Sequence, residues 1–324
     1  MAPAAGERAR VYRFYEYGGP DKLQLEEVEV PAPPAGHVRV RVQAISLNQA
    51  DFLFMANQYI ESPQLPSKIG YEISGIVDAV GEAVVQFQPG DRVSSIPAFS
   101  VKDYGNFAEL AILPERGLIH TPKNLNKTEA ASFTFAYFTS YFGLFDLGEL
   151  QPFQTVLITA ATSTTGLAAI SMVRAAGCTV IATSRSSSKA GVLKKAGAHH
   201  VVATAEEDLA ERVASITGGK GVDVAYDCIA GTMSEKIIDC LRPFGHWIVY
   251  GLMDTTPVPF PWMKFFIRTI QMDMFKVFDF TGHQHLGIPS NDQALGAVRL
   301  SLSFETDVVF ASRFAREGFC SESL

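Results

Sequence analysis

The chain has 324 residues, of which 47% are hydrophobic and 19% charged, and its formal net charge at pH 7 is −7. This length suffices for two domains with separate cores, and the composition is that of an ordinary globular protein. The acidic balance argues against a nucleic-acid partner, and because no apolar run approaches the roughly 20 residues that cross a bilayer, we expect no membrane partner either.

The first 125 residues read as a β-rich domain. Residues 28–48, VEVPAPPAGHVRVRVQAISLN, alternate apolar and polar side chains between Pro and Gly, and residues 71–81 and 87–93 (YEISGIVDAVG and FQPGDRV) continue that rhythm. Such segments between turn-forming residues predict short strands. The spacing of apolar residues changes at residues 126–147, NKTEAASFTFAYFTSYFGLFDL. It is helical there, with Asn126 as a candidate N-cap.

Residues 155–252 alternate short apolar segments with amphipathic ones. The five predicted strands are TVLITA, CTVIATS, HHVVAT, VDVAYDC and HWIVYGL. This alternation predicts an α/β fold, with a doubly wound parallel sheet covered by helices on both faces, over residues 126–265. The tail, residues 266–324, has no comparably clear pattern.

The turn after the first of these strands has the outline of a dinucleotide-binding turn. The three glycine positions of G-x-G-x-x-G fall on Ala161, Ser163 and Gly166, so only the third glycine is present. Gly166 allows close helix–strand contact, while Ser163, Thr164 and Thr165 place hydroxyls at a helix N-terminus, where the dipole favours anions. From this turn alone, an ordinary strand–turn–helix corner of an α/β protein remains an equal alternative.

The end of the next strand indicates which dinucleotide would bind. NAD-binding proteins carry an acidic residue there for the ribose hydroxyls, whereas this chain has Ser184 and Arg185, followed by Lys189. Two cations without a carboxylate suit a 2′-phosphate. We therefore predict NADP(H) as the cofactor; the alternative for Arg185 and Lys189 is a solvated basic loop.

Several segments, in order, resemble the medium-chain dehydrogenase/reductase superfamily, and most closely its zinc-free quinone oxidoreductase and enoyl reductase branch. The segments that carry the likeness are YGGPDKLQLEEVEVPAPPAGHVRVRVQAISLNQADF, IGYEISGIVDAVG, QPGDRV, FAYFTSYFGL, VLITAATSTTGLAAI, KKAGAHHVV, KGVDVAYDCIAG and LRPFGHWIVYG. The resemblance implies a GroES-like substrate domain over residues 1–125, with 266–324 returning to it, and a Rossmann NADP(H)-binding domain over 126–265. It also implies a cleft between them for nicotinamide and substrate, and a homodimer formed by edge pairing of the nucleotide-binding sheets.

The resemblance further implies a protein without zinc. Zinc alcohol dehydrogenases have a Cys-His pair and a Gly-His-Glu where this chain has Asn48-Gln49 and Gly70-Tyr71-Glu72, so the ligands of a tetrahedral site are missing. No other histidines or cysteines show metal-ligand spacing: the candidates are His199, His200, His283, His285, Cys178, Cys228, Cys240 and Cys320. Cysteines far apart and without a CxxC pair indicate a reduced, cytoplasmic protein.

Without a Lewis acid, reduction of a quinone or an α,β-unsaturated carbonyl is the expected reaction. In the resembling reductases a tyrosine eleven residues after the asparagine of an Asn-x-x-Asp motif protonates the oxyanion, and Asn48, Asp51 and Tyr59 reproduce that spacing. A phenol can donate this proton. Tyr59 is equally compatible with a loop aromatic that takes no part in proton transfer, and Asn48 either orients a ligand or caps a turn.

The remaining site residues come from the same resemblance. Thr139 is a candidate nicotinamide contact or a hydroxyl bonded to its own helix, and Phe278 flanks the nicotinamide or belongs to the core. Tyr71 forms the substrate wall or packs internally. Two sets complete the prediction: Tyr250, Gly251 and Leu252 for the cofactor, and Phe52 and Met55, with Phe54, for an apolar substrate wall.

Two alternatives to a quinone or enone reductase remain open. One is an enoyl-thioester reductase acting on acyl-CoA or acyl-carrier substrates, for which a basic entrance near Tyr59 is the expected sign; the sequence shows no clear basic run there. The other is a catalytically impaired NADPH-binding or sensing protein. The tail GAVRLSLSFETDVVFASRFAREGFCSESL lacks the Gly-Lys closing strand of the resembling proteins, so nucleotide binding without turnover is a possible outcome.

Overall fold

A computed structural model describes residues 6–282 in two compact units. Residues 6–135 and 278–282 form the first unit, and Ala136–Val277 form the second. The division lies about ten residues later than the predicted boundary at residue 126, because a short helix at Lys127–Ser132 packs on the strands of the first unit. The predicted return of the tail to the first domain falls, from residue 283 on, outside the described residues.

The first unit contains two antiparallel sheets and four short helices. Its strands are β1 (Glu7–Phe14), β2 (Gln24–Val30), β3 (His37–Ser46), β4 (Ser67–Lys68), β5 (Glu72–Val80), β6 (Arg92–Ser95), β7 (Leu110–Pro114) and β8 (Leu118–His120). Its helices are α1 (Gln49–Met55), α2 (Val101–Tyr104), α3 (Lys127–Ser132) and, at the far end of the described chain, α10 (Phe278–Thr281). The sheet orders are β2-β1-β4 and β7-β3-β5-β6-β8.

The larger of these sheets positions the candidate catalytic residues. β3 and β5 pair along most of their length, from Val38 opposite Val80 to Ser46 opposite Glu72. Alternate apolar side chains on both strands are buried, as the sequence pattern predicts for a sheet with one face on a core. Asn48, just after β3, and Glu72, at the start of β5, are therefore brought to one end of the sheet.

The second unit is the doubly wound α/β fold that the sequence predicts. Its strands are β9 (Thr155–Ile158), β10 (Thr179–Ser184), β11 (His200–Ala203), β12 (Val222–Asp227), β13 (Leu241–Val249) and β14 (Gln271–Met274). Its helices are α4 (Thr134–Tyr141, which straddles the division), α5 (Thr164–Ala175), α6 (Ala190–Ala196), α7 (Leu209–Thr217), α8 (Ser234–Cys240) and α9 (Trp262–Arg268). All pairs are parallel, in the order β11-β10-β9-β12-β13-β14, which is the strand order of dinucleotide-binding sheets.

Three local features differ from the sequence prediction. Residues 126–147 form α3, α4 and a π-helical stretch, Phe142–Leu147, rather than one helix. The pattern of residues 232–243, TMSEKIIDCLRP, predicts a helix up to Pro243, but the helix ends at Cys240, since proline cannot continue the backbone hydrogen bonding of a helix. α9 and β14 lie in a region whose pattern is unclear in the sequence. Within residues 6–282, no helix is long and apolar enough to cross a membrane.

Candidate functional site

The turn between β9 and α5 has the close packing that its glycine pattern predicts. A Cβ atom added to Gly166 would lie 2.6 Å from the Cα atom of Ala161, so only glycine fits here without a backbone shift. Ala161 is fully buried in the turn. The Ser163 hydroxyl accepts a hydrogen bond of 3.0 Å from the Gly166 N–H and caps the helix. The third glycine position therefore retains its packing role although the first two are substituted.

The first turn of α5 presents donors to a ligand. Thr164 and Thr165 are the first two helical residues, and their N–H groups precede the first helical hydrogen bonds. The Ser140 hydroxyl donates to the Thr165 carbonyl at 3.2 Å, which brings α4 next to the start of α5. Thr139, beside Ser140, is buried in the same helix. This arrangement suits an anion such as a pyrophosphate.

A buried carboxylate that the sequence analysis missed fixes the neighbouring loops. Asp227, the last residue of β12, accepts a 2.5 Å hydrogen bond from the Thr159 hydroxyl and a 3.2 Å bond from the Trp247 indole N–H. It also accepts bonds from the backbone N–H groups of Ile229 and Ala230. One side chain thus ties together the carboxyl ends of β9, β12 and β13. The available sequence signal is an aspartate that ends an otherwise apolar strand.

The predicted cofactor residues after β13 lie against this loop. The Tyr250 N–H donates to the Asp227 carbonyl at 2.8 Å, and a Cβ atom on Gly251 would lie 3.1 Å from the Cβ atom of Cys228. Leu252 is exposed. Residues 250–252 are therefore at the carboxyl end of the parallel strands, where ligands of such sheets bind.

The loop after β10 presents two cations. Arg185 and Lys189 are exposed and form no ion pair within residues 6–282. The Ser184 hydroxyl is turned inward and donates to the Ser186 carbonyl at 2.7 Å. The end of β10 has no carboxylate of its own, but Glu206, which follows β11, lies against this loop. It accepts a hydrogen bond of 3.0 Å from the Ser187 N–H. That N–H is the main reason why the pKa of Glu206 is lowered, so a charged carboxylate is bonded to Ser187 in the loop that bears Arg185 and Lys189.

In the first unit, Asn48 and Glu72 are hydrogen-bonded to each other. The Asn48 amide donates to Glu72 at 3.0 Å, and the Thr134 hydroxyl and Phe135 N–H donate to the other carboxylate oxygen at 2.8 and 2.9 Å. Burial raises the pKa of Glu72, and the Phe135 N–H opposes that shift. Asn48 is therefore held in one orientation by a buried carboxylate that the sequence analysis did not assign.

Asp51 and Tyr59 form the second part of this arrangement. Asp51 is buried; one carboxylate oxygen accepts a 2.8 Å bond from the Asn48 N–H, and the other has no hydrogen-bond partner within the described chain. Burial raises the pKa of Asp51 to about 7. Burial, followed by the charges of Asp51 and Glu61, raises the pKa of Tyr59, so its phenol keeps its proton at neutral pH.

Tyr71 and Phe278 lie in an aromatic cluster of the first unit. Tyr71 is fully buried, with ring centroids 6.2 Å from Tyr59, 5.4 Å from Phe135 and 5.7 Å from Phe278. Phe278 is also fully buried. Both residues are therefore packed among the aromatic rings of the first unit, and their contacts with substrate or nicotinamide stay predictions.

Only part of the apolar substrate wall predicted on α1 lies on the surface, because two of its three residues are packed in the core. Phe54 and Met55 point into the core, whereas Phe52 is 41% exposed. The reason is helical periodicity: with about 3.6 residues per turn, Phe52 lies on nearly the opposite side of the helix from Phe54. Among these three residues only Phe52 is available on the surface.

No group of three or more metal-ligating side chains occurs within residues 6–282. Cys178, Cys228 and Cys240 are buried and form no disulfide. His199 and His200 lie at the start of β11, at the amino ends of the parallel strands, while His283 and His285 fall outside the described residues.

Comparison with known proteins gives consistent matches for both parts of the chain. The family model of the alcohol dehydrogenase GroES-like domain matches residues 34–123, and the model named zinc-binding dehydrogenase matches residues 164–284. A quinone oxidoreductase of Pseudomonas aeruginosa is 34% identical over 243 residues, which cover 75% of this chain and 73% of that protein. A 2-haloacrylate reductase of a Burkholderia species is 35% identical over 244 residues, covering 74% and 72%.

The similarity extends to solved structures. The crystal structure of Escherichia coli quinone oxidoreductase in complex with NADPH aligns with a TM-score of 0.78 at 27% sequence identity. The alignment covers 92% of this chain and 89% of that one.

Proposed function

The chain belongs to the medium-chain dehydrogenase/reductase superfamily, in its zinc-free quinone oxidoreductase and enoyl reductase branch, and we propose that it reduces a quinone or an α,β-unsaturated carbonyl with NADPH. It is accordingly an NADPH-dependent oxidoreductase. One observation carries the choice of reaction. Asn48 stands where zinc alcohol dehydrogenases have the cysteine of their Cys-His pair, and its side-chain amide donates a 3.0 Å hydrogen bond to Glu72.

The second unit offers a fitting set of groups for NADPH. The first-turn N–H groups of Thr164 and Thr165 suit the pyrophosphate, and the absence of a side chain at Gly166 lets α5 approach the turn. Arg185 and Lys189 suit the 2′-phosphate, while the carboxylate of Glu206, which is bonded to Ser187 in the same loop, would repel it. When bound, the cofactor supplies a hydride; the protein must hold the acceptor and manage the proton.

Tyr59 is our candidate for the proton donor. Its raised pKa keeps it protonated, so it can donate a hydrogen bond to the acceptor carbonyl. Its assignment as the proton donor to the developing oxyanion comes from its spacing to Asn48 and Asp51. Asp51, with a pKa of about 7 and an unpartnered oxygen among the described residues, is a nearby group able to change its protonation state. Asn48, fixed by Glu72, would orient the ligand rather than exchange a proton.

The test is anaerobic NADPH oxidation, followed by absorbance, against a panel of quinones, enones and enoyl thioesters, with NADPH binding titrated in parallel. Turnover of quinones or enones supports the proposal and distinguishes the two classes. Turnover of enoyl thioesters alone favours the acyl-CoA or acyl-carrier alternative. Tight NADPH binding without any turnover favours a sensing role and refutes the reductase.

We also propose a homodimer formed through the edge of the nucleotide-binding sheet. Among the described strands β14 ends that sheet, and Met274 on it is exposed. α9, which precedes it, exposes Trp262, Phe266 and Ile267. An unpaired edge beside exposed apolar side chains is readily covered by a second copy through a twofold axis.

Light scattering coupled to gel filtration tests the dimer. The parent protein is expected at twice the monomer mass, and Ile267→Lys with Met274→Lys is expected at the monomer mass with an unchanged melting temperature. Val85→Lys, an exposed apolar position in the first unit, is the matched control and should remain dimeric. A monomeric parent protein refutes the proposal.

The buried, unpaired cysteines support a reducing compartment, and we propose the cytoplasm.

A further inference from the structure

Two phenylalanines project from the amino-terminal edge of the parallel sheet. Phe153, in the loop before β9, is 91% exposed, and Phe244, near the start of β13, is 71% exposed. On β13, Leu241 pairs with Val222 and His246 with Val224, so the intervening residues bulge outward and carry Phe244 with them. Phenylalanines with most of their surface exposed are uncommon on a globular domain, and two on one edge are a reason to look for a partner.

The backbone at both positions is one that phenylalanine rarely adopts. Phe153 has φ of +70° and Phe244 has φ of +59°, in the left-handed region. Each follows an exposed proline, Pro152 or Pro243, in a turn where a left-handed residue is ordinarily glycine. Neither aromatic side chain is needed for these turns, and neither is packed in the core. Local folding therefore does not account for them.

Basic side chains accompany the phenylalanines along the same edge. Arg174, Lys194 and Lys220 form no ion pair within the described chain, and Arg242 is paired with Asp223 at 2.6 Å. Arg174 and Lys194 both contact His199, at the ring and the carbonyl oxygen respectively. Burial, then Arg174, His200 and Lys194, lowers the pKa of His199, as expected where positive charge is concentrated.

Hydrogen bonds join these loops into one surface. The Phe153 N–H donates to the Gly177 carbonyl at 3.2 Å, next to the end of the helix that bears Arg174. On the other side, Asp223 accepts from the Thr155 N–H at 2.7 Å and from Arg242 at 2.6 Å, which links the loop of Phe153 to the bulge of Phe244.

We name Phe153, Phe244, Arg174, Lys194, Lys220 and Arg242 the amino-edge patch. From β11 to β13 the sheet spans four strand spacings, about 19 Å. Strand order places Lys194 and Arg174 toward one end and Phe244 with Arg242 toward the other. The candidate nucleotide site lies at the opposite, carboxyl edge of the same strands, so the patch is separate from it.

We propose that the amino-edge patch docks the protein peripherally on an anionic phospholipid surface. The exposed phenylalanines would enter the interface between headgroups and acyl chains, and the cations would lie over the phosphate and carboxylate groups. Charge complementarity favours this partner, because Arg174, Lys194 and Lys220 have no ion pair within the described chain and lie on the edge that bears the exposed phenylalanines, although the protein as a whole carries a formal charge of −7. The sequence expectation of no membrane partner depended on the lack of a spanning segment, which peripheral docking does not need.

Co-sedimentation with vesicles of equal parts phosphatidylcholine and phosphatidylserine tests the proposal, with pure phosphatidylcholine vesicles as the comparison. The full chain is expected to sediment with the mixed vesicles, weakly or not at all with pure phosphatidylcholine, and less as salt is raised. Equal sedimentation with both kinds of vesicle, or none with either, overturns the proposal.

Phe153→Gly with Phe244→Gly removes the apolar part without a risk to folding, because glycine adopts a positive φ readily. Its melting temperature is expected to be equal or higher, and its vesicle affinity about tenfold lower for each phenylalanine removed. Val85→Ser, which removes an exposed apolar side chain from the first unit, is the control and should bind normally.

Lys194→Glu with Lys220→Glu tests the charge. Vesicle affinity is expected to fall at least about 25-fold, from roughly fivefold for each cation lost. Lys123→Glu with Lys127→Glu makes the same change in net charge at exposed positions of the first unit and should have little effect. If the charge reversal abolishes binding but the glycine variant binds the mixed vesicles like the parent protein, the patch attaches by charge alone, and the proposed entry of Phe153 and Phe244 into the interface is refuted.

Discussion

Replacing Asp51 with asparagine should stabilise the protein, and by an amount that grows with pH. Asp51 is a buried carboxyl group whose pKa is raised from 3.8 to about 7 by burial. One of its oxygens accepts the Asn48 N–H, and the other has no partner in the described chain. Asparagine keeps a carbonyl acceptor for Asn48 and removes the titratable charge.

The magnitude follows from the difference between the two pKa values. An acid whose pKa is higher in the folded state binds its proton more tightly there, so its contribution to stability is full below pH 3.8 and declines as pH rises to about 7. About three pKa units correspond to about 4 kcal/mol, as an upper bound. About 3 kcal/mol of this should develop between pH 5 and pH 8.

Urea denaturation of the parent protein and Asp51→Asn across that pH range measures the effect. The difference in the free energy of unfolding should rise with pH and level off above pH 7. Asp208→Asn, at the exposed cap of α7, is the control and should show no such growth. A difference between Asp51→Asn and the parent that is the same at every pH would refute the assignment of a raised pKa to Asp51.

Four further outcomes are expected. Arg185→Ala should erode the preference for NADPH over NADH in binding titrations, while Glu206→Gln should strengthen it; equal affinities in the parent protein would contradict the assignment. Tyr59→Phe should lower kcat about a hundredfold or more with NADPH binding intact, and an unchanged rate would remove Tyr59 from proton transfer. Gly166→Ala should weaken NADPH binding by about 1–3 kcal/mol, because the added Cβ meets the backbone of Ala161; calorimetry measures this. Treatment with a chelator should leave activity unchanged, and metal analysis should find no stoichiometric zinc; a loss of activity restored by zinc would contradict the metal-free assignment.

The fold of the second unit could be predicted from local pattern. Its strands are short apolar runs between amphipathic helices, and a buried parallel sheet is the arrangement that satisfies both. The first unit was predictable as β-rich, but its sheet order was not, because antiparallel strands of similar pattern can pair in several ways. The sequence did not predict that α3 belongs to the first unit, because this depends on its contacts with β3 and β5.

The candidate site also combines features that are local in the sequence with contacts that depend on the tertiary structure. The turn at Ala161, Ser163 and Gly166 and the cations after β10 are local features of the chain, so the sequence sufficed to predict NADP(H). The contact between Glu206 and Ser187 could not be predicted from the sequence, because Glu206 follows β11 and lies 19 residues further along the chain. The partnership of Asn48 with Glu72 likewise depends on the pairing of β3 with β5.

The sequence by itself determined the alternation of strands and helices from β9 to β13, the nucleotide turn, and the absence of the cysteine and histidine of a zinc site at Asn48 and Tyr71. Only the tertiary structure decided which polar groups are buried together and which aromatic residues reach the surface. Asp227, Glu72 and Asp51 owe their properties to partners far along the chain or to burial, neither of which a linear pattern records. Phe153 and Phe244 illustrate the converse: both are large apolar residues, and the backbone geometry of their turns leaves them on the surface.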